Sequence, residues 1–137
     1  MDSLIIPIKQ EYAKEILGDR KTVEFRRRFN PKYRKRAIVF YITDPIKQVH
    51  FYAVIKRVFK GSVNDLWTCY RKEGSIKRPT FDEYFQGCSI GYAIVLEQIT
   101  ELKRPFKLED LKSIGIKSLQ SHRSITKEQF TLITGVE

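Results

Sequence analysis

Between Arg20 and Arg36 the chain reads R-K-T-V-E-F-R-R-R-F-N-P-K-Y-R-K-R. Nine basic residues, Arg20, Lys21, Arg26, Arg27, Arg28, Lys32, Arg34, Lys35 and Arg36, stand there against one acid, Glu24. The stretch carries eight of the chain's ten net positive charges. Like charges at that density repel, so the fold must turn most of them to the surface or meet them with a compensating partner. The same stretch holds a strand. Thr22-Val23-Glu24-Phe25-Arg26 alternates polar and apolar, the period of a half-buried strand. That period sends Val23 and Phe25 to the core, with Lys21 on their face. It turns Thr22, Glu24 and Arg26 together to the opposite face. Asn30-Pro31 then breaks the pattern in a turn.

Aromatics interleave with the charges: Phe25, Phe29 and Tyr33. Cations neutralise phosphates and aromatic faces stack on unpaired bases, so the run predicts a nucleic-acid contact surface. The plainer alternative is a solvated charged face. A sequence pI of about 9.7 makes acidic macromolecules the natural partners, with RNA expected first and DNA as the alternative. No membrane partner is expected, because no apolar run approaches the ~20 residues that span a bilayer and no lipid-facing stripe matches the basic run. The N-terminus, M-D-S-L-I-I-P-I-K, does not read as a signal peptide. Two cysteines, Cys69 and Cys88, make neither a disulfide framework nor a zinc site. A reducing, cytoplasmic location follows, with no metal and no cofactor.

With 137 residues and 42% hydrophobic content, the chain is expected to form a single domain over residues 1–137. Leu4 to Ile8 reads as a strand whose Pro7 suggests an edge or a strand end. Gln10 to Leu17 is a short amphipathic helix, with Gly18 in the place of a left-handed C-terminal residue. Further strands are expected over Ala37–Ile42, Val49–Lys60 and Gly91–Leu96, the last leading on to Ile99. Helices are expected over Asn64–Arg71, over Pro79–Phe85 with Thr80 and Glu83 as a capping box, and over Leu108–Leu111. A last helix opens on Thr126 and Gln129, a second capping box. Strands and small helices mix without regular βαβ alternation. That argues for an α+β fold, a small barrel or curled sheet with helices around it.

No catalytic signature is strong. His50 and His122 stand far apart, and each reads as a packing or surface residue. Glu24 is the exception among the acids. Two roles fit it equally. It can simply pair with Arg26 or Arg28, or, held ionised by its cationic neighbours, it can accept a hydrogen bond from a base edge. General-base chemistry is disfavoured, because those neighbours push its pKa away from the working pH. Leu119 to Ser124 is a polar loop. Its Gln120, Ser121 and Arg123 could meet phosphate or a base edge, although an ordinary loop is the preferred reading.

Several of these pieces together resemble the ASCH domain, a branch of the PUA-like superfamily. They are Ile8-Lys9, the helix with Tyr12-Ala13 and Ile16-Leu17, Gly18, and Lys21-Thr22-Val23-Glu24-Phe25-Arg26, which is similar to K-T-x-E-x-R. Tyr41 to Pro45, Tyr84-Phe85-Gln86-Gly87 before Tyr92 to Leu96, and Gln120-Ser121-His122-Arg123 resemble later parts of the same pattern. The resemblance implies a PUA-like small mixed β-barrel with flanking short helices, an RNA-related role, and a cleft lined by the K-T-x-E-x-R strand. Some relatives remove the acetyl group from N4-acetylcytidine using a lysine, a threonine and a glutamate. Lys21 matches the lysine. Glu24 stands where the threonine would, and the strand from Phe51 to Val58 has no glutamate, so that activity is not carried over. Other relatives are linked to nuclease action.

The expectation is a binding module for RNA or a modified nucleotide. Arg26, Arg27, Arg28, Lys32, Arg34, Lys35 and Arg36 would meet phosphates. Lys9, Lys21, Glu24, Arg26 and Tyr41 would line the cleft, Thr22 would join the nucleic-acid contacts from the strand face of Glu24 and Arg26, and Gln120, Ser121 and Arg123 would make a second contact. The alternative is an enzyme acting on RNA or modified nucleosides, a nuclease or amidohydrolase, with Lys21 and Glu24 as its polar pair. A third reading is a regulatory protein that reaches nucleic acid through a protein partner.

Overall fold

The computed structural model describes residues 2–117 and 119–137. Strand β1 (Ser3–Ile8) leads into helix α1 (Gln10–Leu17) and strand β2 (Val23–Arg26). A 3-10 turn over Pro31–Tyr33 precedes β3 (Ala37–Ile42) and the long β4 (Gln48–Ser62). Helices α2 (Val63–Gly74) and α3 (Arg78–Tyr84) follow, then β5 (Ile90–Lys107), α4 (Leu108–Ser113), β6 (Arg123–Ile125) and α5 (Lys127–Thr134). The strands form one mixed sheet of order β2-β5-β4-β3-β1-β6.

β1 and β3 pair in parallel and are apolar at successive positions because both of their faces are covered. On one face Leu4, Ile6, Ile8, Ile38, Phe40 and Ile42 join Ala13 and Ile16 of α1. On the other, Ile5, Val39 and Tyr41 pack with Leu111 of α4 and Ile133 of α5. A third cluster joins Val23 and Phe25 of β2 to Leu66 of α2 and to Phe81 and Phe85 beside α3. Each cluster removes large aliphatic or aromatic side chains from water, each fully buried one being worth about 1.5–3 kcal/mol.

The sheet curls but does not close into the expected barrel. Among the described residues β2 pairs with β5 alone, and β6 pairs with β1 alone. Register shifts along β4, at Val49/Phe51, Tyr52/Val54 and Ile55/Arg57, bend the ladder, as bulges do. They bring β2 round toward β1. Backbone pairing stops there for a local reason. β6 covers β1 only from Ser3 to Ile5, and Pro7, just beyond, has no N–H to give. A side chain spans the gap instead: Arg26 Nη2 donates to the Pro7 carbonyl at 2.6 Å.

Other expectations need local correction. Gly18 ends α1 with φ −88°, and Asp19, at φ 61°, takes the left-handed conformation. α3 begins at Arg78 with Lys77 as its N-cap and no side-chain cap, so Thr80 lies inside the helix; Pro79, already set to a helical φ, suits the first turn. The Thr126–Gln129 capping box is present with both of its hydrogen bonds. The loop expected at Leu119–Ser124 gives way to β6 from Arg123 onward. The interleaved aromatics face inward. Phe25 and Phe29 are buried, and Tyr33 lies edge-on against Phe29 at 5.4 Å. Phe29 also packs on the ring of His122 at 4.9 Å. These rings anchor the basic run to the core.

No helix among the described residues is long and apolar enough to cross a membrane.

Phe29→Ala should therefore destabilise the protein by about 3–5 kcal/mol, read from urea unfolding midpoints. A loss under about 0.5 kcal/mol, usual for a solvent-facing residue, would return Phe29 to the surface.

Candidate nucleic-acid interface

A cavity of about 530 Å³ opens where β1 meets α1, between β2 and α3. Pro7, Ile8, Lys9 and Tyr12 form one wall, and Lys21, Glu24, Phe25, Arg26 and Arg27 form a second. Ile76, Thr80, Glu83 and Tyr84 supply the third, and Thr43 closes one end. Thr43 is fixed there by its N–H, which donates to the Ile8 carbonyl at 2.9 Å.

Lys21, Glu24 and Arg26 form the charged floor. Arg26 grips one carboxylate oxygen of Glu24 with Nε at 3.0 Å and Nη2 at 2.7 Å. Lys21 Nζ stands 3.4 Å from the other oxygen and donates to the Gly74 carbonyl, at the end of α2, at 2.7 Å. Lys21 is 2% exposed and Glu24 7%. Strand alternation places these two on opposite faces, but β2 starts only at Val23. Lys21 precedes the ladder, and its long stem folds back over the rings of Tyr12 and Phe25, with Nζ 5.2 and 5.8 Å from their centres. The Gly74 contact also depends on the absence of a side chain at that glycine, since a Cβ there would run into the Phe25 ring.

Burial is the main influence on both ionised groups. It pushes the Lys21 ammonium below the usual lysine range, and the attraction of Glu24 only partly opposes this. Burial would raise the Glu24 carboxyl, but the charges and hydrogen bonds of Arg26 and Lys21 outweigh it and hold Glu24 below the usual range. Glu24 is therefore an acceptor at neutral pH. Burial, Glu11 and Glu24 raise the Tyr12 hydroxyl, which stays protonated and able to donate. Burial and then the charge of Arg26 lower the His122 ring, which stays neutral.

The rim is cationic and aromatic. The Arg27 guanidinium lies 4.9 Å from the centre of the Tyr84 ring, and the Arg27 N–H donates to the Tyr84 hydroxyl at 3.2 Å. Of the residues expected in a site, Lys9, Lys21, Glu24, Arg26 and Arg27 line this cavity. Arg28, Lys32, Arg34 and Lys35 are exposed beyond it, and Arg36 is half-buried over the Tyr33 ring. Thr22 does not line the cavity; its N–H donates to the Glu73 carbonyl and its carbonyl accepts from Leu96 N–H. Tyr41, expected in the cleft, is buried in the second cluster with Ile5, Val39 and Val49, because it lies on the other face of β3 from Phe40 and Ile42. Gln120, Ser121 and Arg123 are exposed and do not line the cavity. Tyr12, Thr43, Thr80, Glu83 and Tyr84 also line it, although the sequence reading names none of them as a cleft residue. Nothing in local spacing joins them, since α1, the β3–β4 turn and α3 meet only in the fold. Among the described residues no three His, Cys, Asp or Glu side chains gather in range to hold a metal ion.

A family model described as a domain of unknown function, DUF365, matches residues 1–121. Over 122 residues the chain is 34% identical to the ASCH domain-containing ribonuclease of Zymomonas mobilis, covering 89% of this chain and 81% of that protein. This chain belongs to the ASCH family. The crystal structure of ASCH from Zymomonas mobilis superposes with a TM-score of 0.87 at 32% identity, over 94% of this chain and 91% of that one. The N-terminal domain of Staphylothermus marinus McrB shares the fold at a TM-score of 0.61 and 13% identity, over 98% of this chain and 94% of that one.

The floor network should contribute to the acid stability of the protein. Glu24 has a folded pKa below its unfolded value of about 4.3, so the native state binds fewer protons and is stabilised above that pH. That stability is lost as pH falls through the folded value. Glu15, held down first by hydrogen bonds from Ser75 and Arg20, acts in the same direction. Urea midpoints measured downward from pH 7 should decline below about pH 4.3. Glu24→Gln should flatten that decline while leaving the share due to Glu15. An unchanged acid limb in the variant would show that the cations do not hold this carboxylate.

Proposed function

We propose that this ASCH protein binds RNA and takes one unpaired nucleotide into the cavity between β2 and α3. One observation carries the reading: a cavity of nucleotide size has a buried, ionised carboxylate on its floor and cations beside aromatic rings on its rim. Cavities of about 300–1,000 Å³ suit small ligands. Glu24 would accept from an exocyclic amino group on the base edge, as acidic side chains do from cytosine. Lys9 and Arg27 would meet the flanking phosphates. The name of the Zymomonas relative, a ribonuclease, supports RNA over DNA as the polymer. We read residues 1–137 as one domain, and the free thiols of Cys69 and Cys88 fit a cytoplasmic location.

A second reading, cleavage of the bound strand, is favoured by Lys21. Lys21 lines the cavity, and burial lowers its pKa, which brings its proton-accepting neutral form within easier reach. It would take the proton of a ribose 2′-hydroxyl, whose oxygen attacks the adjacent phosphorus. The P–O5′ bond breaks, and the departing oxygen takes a proton from water. The products are a 2′,3′-cyclic phosphate and a free 5′-hydroxyl. End-labelled RNA should then be cut by the wild type, and neither a 2′-deoxy strand nor the Lys21→Met variant should support cutting. Cleavage that survives Lys21→Met removes the lysine from this role.

Glu24→Gln separates recognition from simple charge. Against a cytidine nucleotide the variant should bind about 1–3 kcal/mol more weakly, the usual size of a base-edge contact. Against a generic RNA strand its binding should hold or tighten, because a negative charge has left a cationic surface. Parallel changes in the two titrations would reduce Glu24 to a counter-charge for Arg26.

A further inference from the structure

The exposed part of the basic run is not left to wander in solvent. Lys35 N–H donates to the Ile55 carbonyl at 2.6 Å, and Ile55 N–H donates to the Arg36 carbonyl at 2.9 Å. These bonds stitch the turn to the middle of β4, 20 residues away in sequence. Lys35 holds φ 70° to make them, a left-handed conformation that carries strain in a residue other than glycine. At the same level β4 shifts register against β5. Ile55 pairs with Leu96 and Arg57 with Val95, so Lys56 is the extra residue of a bulge. Strand alternation would send one of Lys56 and Arg57 inward, yet both are exposed.

Two separate departures from regular backbone thus meet at Ile55. Their joint result is to set Arg34 and Lys35 beside Lys56 and Arg57. Among the described residues none of these four has a carboxylate within salt-bridge distance. The strain raises the repulsion among the four and gains no internal ion pair, which is the arrangement expected of a surface completed by an outside polyanion. The sequence run alone does not show it, because Lys56 and Arg57 lie in a segment whose pattern is that of an ordinary strand.

We propose that Arg34, Lys35, Lys56 and Arg57 form a rail for the RNA backbone, binding the phosphates of the strand that extends from the nucleotide held in the cavity. The rail rests on the RNA reading above and extends it, since the bound polymer must be longer than the cavity can hold. Arg27 and Arg28 follow β2 in the chain, so the rim of the cavity and the turn belong to one continuous segment. Phosphates are common to all sequences, so the rail adds affinity and carries no base preference.

The test compares two probes, cytidine monophosphate and a single RNA strand of about 12 nucleotides, a length typical of single-strand sites. The variants are the pair Lys56→Glu with Arg57→Glu and, as a milder pair, Lys56→Ala with Arg57→Ala. The charge-reversed pair should bind the strand roughly tenfold more weakly at low salt. For either pair, the slope of log affinity against log salt should become shallower by about 0.7 for each phosphate that the protein no longer neutralises. Binding of cytidine monophosphate should not change. Strand binding by both pairs equal to wild type overturns the rail while leaving the cavity reading intact. Equal weakening on the mononucleotide and the strand also overturns it, because the substitutions would then act on the cavity. If the wild type binds neither probe, the RNA reading fails and the rail fails with it. Binding of wild type to phosphatidylserine vesicles but not to the strand would assign the four cations to a membrane surface instead.

Discussion

A carboxylate buried between two cations holds this protein's site together. Glu24 is almost out of water, where an unpaired charge is costly by several kcal/mol. Arg26 and Lys21 offset that cost, and each reaches past Glu24 to a backbone carbonyl, Pro7 on β1 and Gly74 at the end of α2. Four segments are thereby joined through one acid. Such a network is no better for stability than well-packed apolar side chains of the same volume. What it provides is definition. Removing Glu24 would leave two cations facing each other with little water, so the strands that bound the cavity have few alternative arrangements.

The same network explains why the sheet can stay open. Closing a barrel by backbone pairing would place β2 directly against β1 and fill the space between them. Pro7 cannot donate to such a ladder, and β6 ends before reaching it. Arg26 holds the two strands at side-chain length. The cavity, the Arg26 bridge and the unpaired edge of β2 are thus three views of one geometric fact. Phe25, which also borders the cavity, fixes the strand through Phe81 and Phe85, with ring centres 5.1 and 6.2 Å away.

Much of this is legible without the structure. The strands, most helices and the basic run follow from period and composition, which are local properties. Lys21, Glu24 and Arg26 stand out because one acid among nine bases is visible without a fold. The failures are equally physical. Phe25 and Phe29 read as stacking platforms because they alternate with arginines, but a large ring gains more by burial than by exposure. Alternation puts Lys21 on the wrong face because the rule holds only inside a ladder, and the ladder starts two residues later. Tyr41 is expected in the cleft, yet β3 is covered on both faces, and a strand that is apolar throughout does not say which face a given residue takes. Tyr84, Glu83 and Thr80 reach the cavity from a helix some 60 residues beyond β2 in the chain. No spacing rule connects them.

The basic run therefore does two jobs that sequence alone does not separate. Its inner cations, Lys21 and Arg26, are committed to Glu24 and to backbone carbonyls, so little of their charge is left for a ligand. Among the described residues its outer cations Arg28, Lys32, Arg34 and Lys35 have no carboxylate within salt-bridge distance. A ligand entering the cavity meets a floor whose charges are paired with one another and fixed in place. A ligand crossing the outside meets a field that is strong and unspecific. On the proposed reading, selectivity and affinity fall to different residues of one short segment, and the buried ring of Phe29 lies between them. A charge count over the whole run merges these two environments, which is why composition points to the class of partner but not to the place where one nucleotide would be distinguished from another.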